Sequence, residues 1–314
     1  MRRAYRRPVT TPEVMALVDF FQAIRPEFPT CEDAMRETLA MVLIRTDFIY
    51  LLEPAEEEQR QINDWEFASR LSYFLWSTMP DAQLLEKAAT GTLQQPDVLS
   101  QEIERLLSDP RADQFVQQFT EQWLHLDVVD QVAINRDYYP QFKERLKTDM
   151  RQESEQVFGE ILRHNLSALH FLSSDFTMLN GRLARHYGID DVYGNTFRRV
   201  ILSPKQHRGG LLGHASILLS NSTGADSHVI RRAVWIRDRL LNDPPASPPP
   251  NVPSLEQTNK GSQELSIREQ LEAHRGTKSC ARCHRDIDPW GIALEHFDAV
   301  GPVSYTHLTL PTKA

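Results

Sequence analysis

Asp64-Trp-Glu-Phe-Ala-Ser-Arg-Leu-Ser-Tyr-Phe-Leu-Trp76 is the stretch that decides the fold class. Its apolar positions Phe67, Leu71, Phe74 and Leu75 recur at i, i+4, i+7 and i+8, one face of an α-helix and not the alternation of a half-buried strand. The same period returns downstream. Leu99, Ile103, Leu106 and Leu107 repeat it, and Asp109-Pro110 then reads as an N-cap followed by proline at the first helical position. One helix should therefore stop near Ser108 and the next present Phe115, Phe119 and Trp123. From about Pro140 to Asn165, Phe142, Leu146, Met150, Val157 and Ile161 mark a long helix. Thr177–Tyr187 reads as a shorter one, ended by Gly188. Only Arg198–Leu202 suggests a strand. The expected class is mostly α, with the aromatic stripes as core packing.

The chain has 314 residues, 40% hydrophobic and 25% charged, within the range of soluble globular proteins. A net charge of -8 gives a duplex nucleic acid nothing to bind, so no nucleic-acid partner is expected. Arg2, Arg3, Arg6 and Arg7 read as solvated charges at a helix end. The apolar windows Leu39–Ile44 and Phe48–Leu52 are interrupted by Arg45 and Asp47. They fall short of the ~20 residues a membrane span requires. No apolar run follows the first residues, so no signal peptide is expected either. Cys31 stands alone at the start of a helical pattern and reads as a surface or structural cysteine. Gly209-Gly210-Leu211-Leu212-Gly213 reads as a loop packed tightly on a helix, and no Ser/His/Asp set stands out.

Between Pro244 and Pro253 six of ten residues are proline, which ends helical structure and favours an extended, semi-rigid spacer. Beyond it, Ser266-Ile-Arg-Glu269 is a capping box opening a short helix with Ile267, Leu271 and His274 on one face. Then comes Ser279-Cys-Ala-Arg-Cys-His-Arg-Asp-Ile-Asp-Pro-Trp-Gly291. Cys-x-x-Cys-His is the pattern by which haem is attached covalently. Two thiols three residues apart on one turn, Cys280 and Cys283, can reach the two vinyl groups of a haem, and the adjacent imidazole of His284 can then ligate the iron. With three cysteines and 11 histidines, chance produces the pattern roughly once in a thousand chains of this composition, which makes coincidence a poor explanation. A structural zinc site needs four ligands and finds no second pair at the right spacing. A thioredoxin-like pair needs a βαβ setting. Ile287, Trp290, Leu294 and Phe297 are expected to supply apolar surface to a haem crevice, with Asp288-Pro289 forcing a turn directly after the ligand.

The iron's opposite face separates an electron carrier from a catalyst. His274 is the nearest candidate ligand, and His296, His214 and His228 are others. The capping box argues that Ile267–Arg275 stays helical, so His274 is expected to pack beside the haem and leave the site five-coordinate or water-ligated.

Residues 280–301, Cys-Ala-Arg-Cys-His-Arg-Asp-Ile-Asp-Pro-Trp-Gly-Ile-Ala-Leu-Glu-His-Phe-Asp-Ala-Val-Gly, resemble the signature of the multidomain cytochrome-c-like proteins of planctomycetes and related bacteria, a family of uncharacterised function. The resemblance continues in Arg3-Ala-Tyr-Arg-Arg-Pro-Val-Thr10, Ala68–Asp81, Ala184-Arg-His-Tyr-Gly188 and Arg208–Ser216, so it spans roughly residues 2–301. It implies one covalent haem c, an extracytoplasmic location and a redox role with an unknown partner protein. It supplies no substrate. Members usually begin with a signal peptide and extend past the haem motif, so the chain looks like an internal fragment. Val303–Ala314 departs from the family pattern and resembles translated adapter sequence. The expected organisation is a partial helical domain (1–60), a helical domain (61–203), a loop, spacer and haem-motif segment (204–301), and a non-native tail (302–314). The expected function is an electron-transfer module. A peroxidase- or dehydrogenase-like enzyme and a scaffold with structural haem stand as alternatives.

Overall fold

The computed structural model describes residues 1–51, 60–246 and 278–304. Among them are 14 α-helices and one two-stranded sheet, so the chain is mostly α. No helix among the described residues is long and apolar enough to cross a membrane. The chain divides into two compact units, Met1–Phe115 and Val116–Ala314.

The first unit contains α1 (Arg2–Tyr5), α2 (Thr11–Ile24), α3 (Cys31–Leu43), α4 (Thr46–Ile49), α5 (Asp64–Trp76), α6 (Ala82–Ala89) and α7 (Pro96–Ser108). Several starts are written in capping residues. Thr10 with Glu13 and Asn63 with Glu66 form reciprocal boxes, and the Asp81 side chain accepts from the Leu84 amide. Leu75, Trp76, Leu84, Leu93 and Leu106 form the core. Buried Trp76 donates from Nε1 to the Leu106 carbonyl at 2.9 Å. The buried face of α5 is rotated from the expected one: Leu75 is buried, and Phe67 and Leu71 pack against the core half-buried. That face runs through Ala68, Ser69, Ser72, Leu75 and Trp76, while Phe74 is 59% exposed. Small side chains let α6 pack closely here, and a count of large apolar residues overlooks them. The basic cluster also differs from expectation. Arg6 is buried and donates to the carbonyls of Asp47, Phe48 and Tyr50, and Arg7 pairs with Glu13 and Asp47. These two arginines tie α1 to α4. Cys31 is exposed and free.

The second unit comprises the part of α8 (Asp113–Leu124) from Val116 on, α9 (Val128–Gln131), α10 (Arg145–Arg163), β1 (Phe176–Leu179), α11 (Gly181–His186), β2 (Arg198–Ile201), α12 (Ala215–Ser220), α13 (Val229–Arg239) and α14 (Lys278–Ile292). The expected stripe of α10 is buried in full: Leu146, Met150, Val157 and Ile161, with Phe142 before it. Thr177–Tyr187 is not one helix. Phe176–Leu179 pairs antiparallel with Arg198–Ile201, Phe176 opposite Ile201, and α11 begins only after Asn180, whose side chain accepts from the amides of Arg182 and Leu183. All four strand residues are buried. A run buried on both faces has no alternation to betray it. The glycine loop does pack tightly. Gly210 has φ 70°, and a Cβ there would collide with the main chain of Leu172.

α14 lies along α13, and the approach is close enough that a Cβ at Gly291 would overlap the main-chain oxygen of Val229. The helix continues through Pro289, so the expected turn at Asp288-Pro289 does not form. An internal proline costs a helix about 3 kcal/mol. Burial of Ile287, Gly291 and Leu294 on the same side offsets that cost. After the helix, Leu294 and Phe297 enter a cluster with Leu124, Leu211, Leu218 and Trp235, and Val300 enters another with Met150 and Leu183. The motif segment is thus part of the second unit's core. Val303 bridges to Phe297 and packs on the same cluster, so the segment read as a non-native tail from residue 302 joins the core at its start. Tyr305–Ala314, the spacer from residue 247 on and the Ser266 capping box lie outside the described residues.

Candidate functional site

Positions 280, 283 and 284 fall on the first turns of α14, and i, i+3 and i+4 share one face of a helix. The third of these positions carries His284. Its Nδ1 lies 2.8 Å from Oδ1 of Asp288, which is fully buried one turn further along the same helix. A carboxylate can only accept, so the proton of this bond belongs to the imidazole Nδ1. The other ring nitrogen, Nε2, is then the one with a lone pair for a metal. Ile287 is buried beside them. Trp290 is not part of the core: it is 43% exposed. Because α14 runs on through Pro289, position 290 falls with Asp286 and Ala293 on the outer face.

The second half of the motif segment is held by residues that sequence reading missed. Buried Arg232 on α13 donates to the carbonyls of Leu294 (2.9 Å), Phe297 (3.0 Å) and Asp298 (2.7 Å). It also pairs with buried Glu295 at 3.2 Å, which in turn accepts from Ser227. Burial pulls the Arg232 guanidinium below its ordinary pKa. Nε2 of His186 donates to the Val300 carbonyl at 2.8 Å, and Arg208 donates to that of Gly301 at 2.7 Å. Glu295 and Gly301 stand in the quoted signature, and their role is docking. A single sequence does not say which distant arginine they meet.

A second polar cluster lies deeper in the same unit. Glu153 accepts from the Tyr187 hydroxyl and from Thr177 Oγ1, the latter at 2.7 Å, and the Tyr187 oxygen accepts from the Ala215 amide at 2.9 Å. Ser154 Oγ lies 2.9 Å from His214 Nδ1 and 2.8 Å from Ser216 Oγ. Burial pushes the His214 pKa down and that of Tyr187 well up. Glu153, Ser154 and Ser216 have no exposed surface, so no substrate reaches this set, and it braces α10 against α12. His214, named above as a candidate iron ligand, is engaged here. His228 is the N-cap of α13, its side chain accepting from the Arg231 amide, and His296 is half-buried, its pKa lowered by that burial. His274 lies outside the described residues.

The donor set fits a haem of the attached kind. One imidazole is fixed in tautomer and direction by a buried carboxylate, as is usual for a metal-ligating histidine. Two cysteine positions precede it at the attachment spacing.

A mostly α chain with a Cys-x-x-Cys-His helix seated in its C-terminal unit defines a cytochrome-c-like class of protein. Three domain families match in chain order: PSD5, a protein of unknown function (DUF1595), over residues 1–53; PSD4, a protein of unknown function (DUF1592), over 62–189; and PSCyt3, a protein of unknown function (DUF1588), over 208–307. The chain belongs to the planctomycete cytochrome-c-like multidomain family, whose function is uncharacterised. No curated protein and no solved structure matches it.

Proposed function

We propose that the chain is a covalent c-type haem-binding redox protein acting as an extracytoplasmic electron-transfer module. Cys280 and Cys283 each add a thiol across a haem vinyl group. The sulfur bonds to one vinyl carbon and the thiol hydrogen passes to the other, so no oxidant is consumed. His284 ligates through Nε2 while Asp288 holds Nδ1. Ile287 contributes apolar wall, and the exposed Trp290 stands at the rim of the helix that carries the ligand. The bound haem supplies reversible one-electron exchange at its iron. The extracytoplasmic assignment follows from that attachment and from the family.

The observation that carries this reading is the His284–Asp288 bond. A histidine directly after the second motif cysteine has its remote nitrogen prepared for a metal by a carboxylate with no exposure to solvent. In protein expressed with haem-maturation machinery, haem should stay with the polypeptide through denaturation and acid–acetone extraction. Replacing both Cys280 and Cys283 by alanine should release it. Haem stripped from the unmodified protein, or zinc in stoichiometric amount in its place, would overturn the proposal.

A further inference from the structure

The carboxylate that meets His284 carries an inference beyond attachment, and it rests on the haem reading. We propose that Asp288 is a positioning residue that makes His284 a strong electron donor. It holds an iron bound there at a lower reduction potential than an imidazole bonded to a neutral carbonyl would.

Three features fix the carboxylate. Asp288 follows His284 at i+4 on an uninterrupted helix, with Oδ1 2.8 Å from Nδ1. Pro289 comes next, and its ring restricts the backbone. On the same side, Ile287 and Gly291 are buried, Gly291 so close to Val229 that the helix cannot turn or withdraw without losing the contact.

The chemistry follows from the charge. Asp288 has no exposed surface, so water does little to screen it. A carboxylate drawing on the Nδ1 proton raises electron density at Nε2 and makes the imidazole a more basic ligand. Ferric iron carries one positive charge more than ferrous iron and gains more from both effects, so the oxidised form is favoured. A module poised this way gives electrons up readily and suits the donor side of a transfer. A backbone carbonyl in the same place would supply a dipole without net charge, so the spacing His284-x-x-x-Asp288 is the specific element.

Asp288→Asn keeps the size and an accepting oxygen and removes the charge. In the haem-matured full chain, the variant should favour the ferrous form by about tenfold relative to the unmodified protein, a rise in potential of about 59 mV for one electron. The iron–imidazole stretch of the unmodified protein supplies a readout that needs no variant. It is recorded by resonance Raman after photolysis of the carbon monoxide adduct. It should lie above that of a c-type cytochrome whose axial imidazole bonds a main-chain carbonyl. An Asp288→Asn protein with haem attached and an unchanged potential would overturn the role of Asp288 while leaving attachment intact. A stretch at or below the carbonyl-bonded value would do the same. Absence of covalent haem from the unmodified protein overturns the attachment reading and this inference with it.

Discussion

At Tyr187 one phenol oxygen donates to the buried Glu153 carboxylate and accepts from the Ala215 amide, so a single atom joins α10 to the start of α12. Tyr187→Phe removes that atom and leaves a carboxylate without one of its two side-chain donors in a site closed to water. Hydrogen bonds to charged groups contribute about 1.5–3 kcal/mol, and a loss of that size is expected in the urea-unfolding free energy. A change within a few tenths of a kcal/mol would show that water enters and replaces the hydroxyl. At this scale the sequence was legible where chemistry is local. Cys280, Cys283 and His284 announce themselves by adjacency, and the partner of His284 stands four residues on, a helical neighbour that a search for acids at i+4 finds. Arg232 and Arg208 were illegible because most of their acceptors are carbonyls, which carry no residue identity, and those in the motif segment lie some 60 to 90 positions away.

Among the elements, the pairing of α13 with α14 turns on Gly291. Any side chain there meets the main chain of Val229. Gly291→Ala should force the helices apart and cost about 1–3 kcal/mol, read as a lower denaturation midpoint with an unchanged slope. An alanine variant as stable as the original would mean that α14 does not lie where it is described. Long helices were the easiest elements to read. α10 shows its stripe over five turns, and every expected position is buried. The short strand β2, Arg198–Ile201, was legible too, but β1 and the course of α14 were not, each for its own physical reason. β1 is four buried residues, three of them apolar, whose partner strand begins 19 residues beyond its end, so nothing local distinguishes it from helix. α14 keeps a proline that local rules place at a turn, because tertiary burial on one side outweighs it. That override places Trp290 on the outer face of the helix.

For the molecule as a whole, acid sensitivity should reside in the second unit. Burial lowers the pKa of His186, His214 and His296 below the ordinary value of 6.5. As pH falls through about 6.5 the unfolded chain takes up protons that the folded chain refuses, so the unfolded state binds more of them. Stability is therefore complete above that pH and is lost below it, down to the folded-state pKa values. Thermal melts from about pH 7.5 to 5 should show a falling Tm, with a shallower fall in His214→Gln. A Tm that is flat or rises over this interval would contradict the burial of these rings. The division into units themselves had no counterpart in composition, since no Gly- or Pro-rich break marks the junction at Phe115.

Every functional proposal for this chain depends on covalent haem at one place in that second unit. Intact-mass spectrometry under denaturing conditions, on chain matured by haem-attachment machinery, tests it most directly. A single species heavier than the polypeptide by one haem is expected, with the added mass on the peptide containing Cys280 and Cys283. A polypeptide of unmodified mass, or an adduct mapped to Cys31, would contradict it.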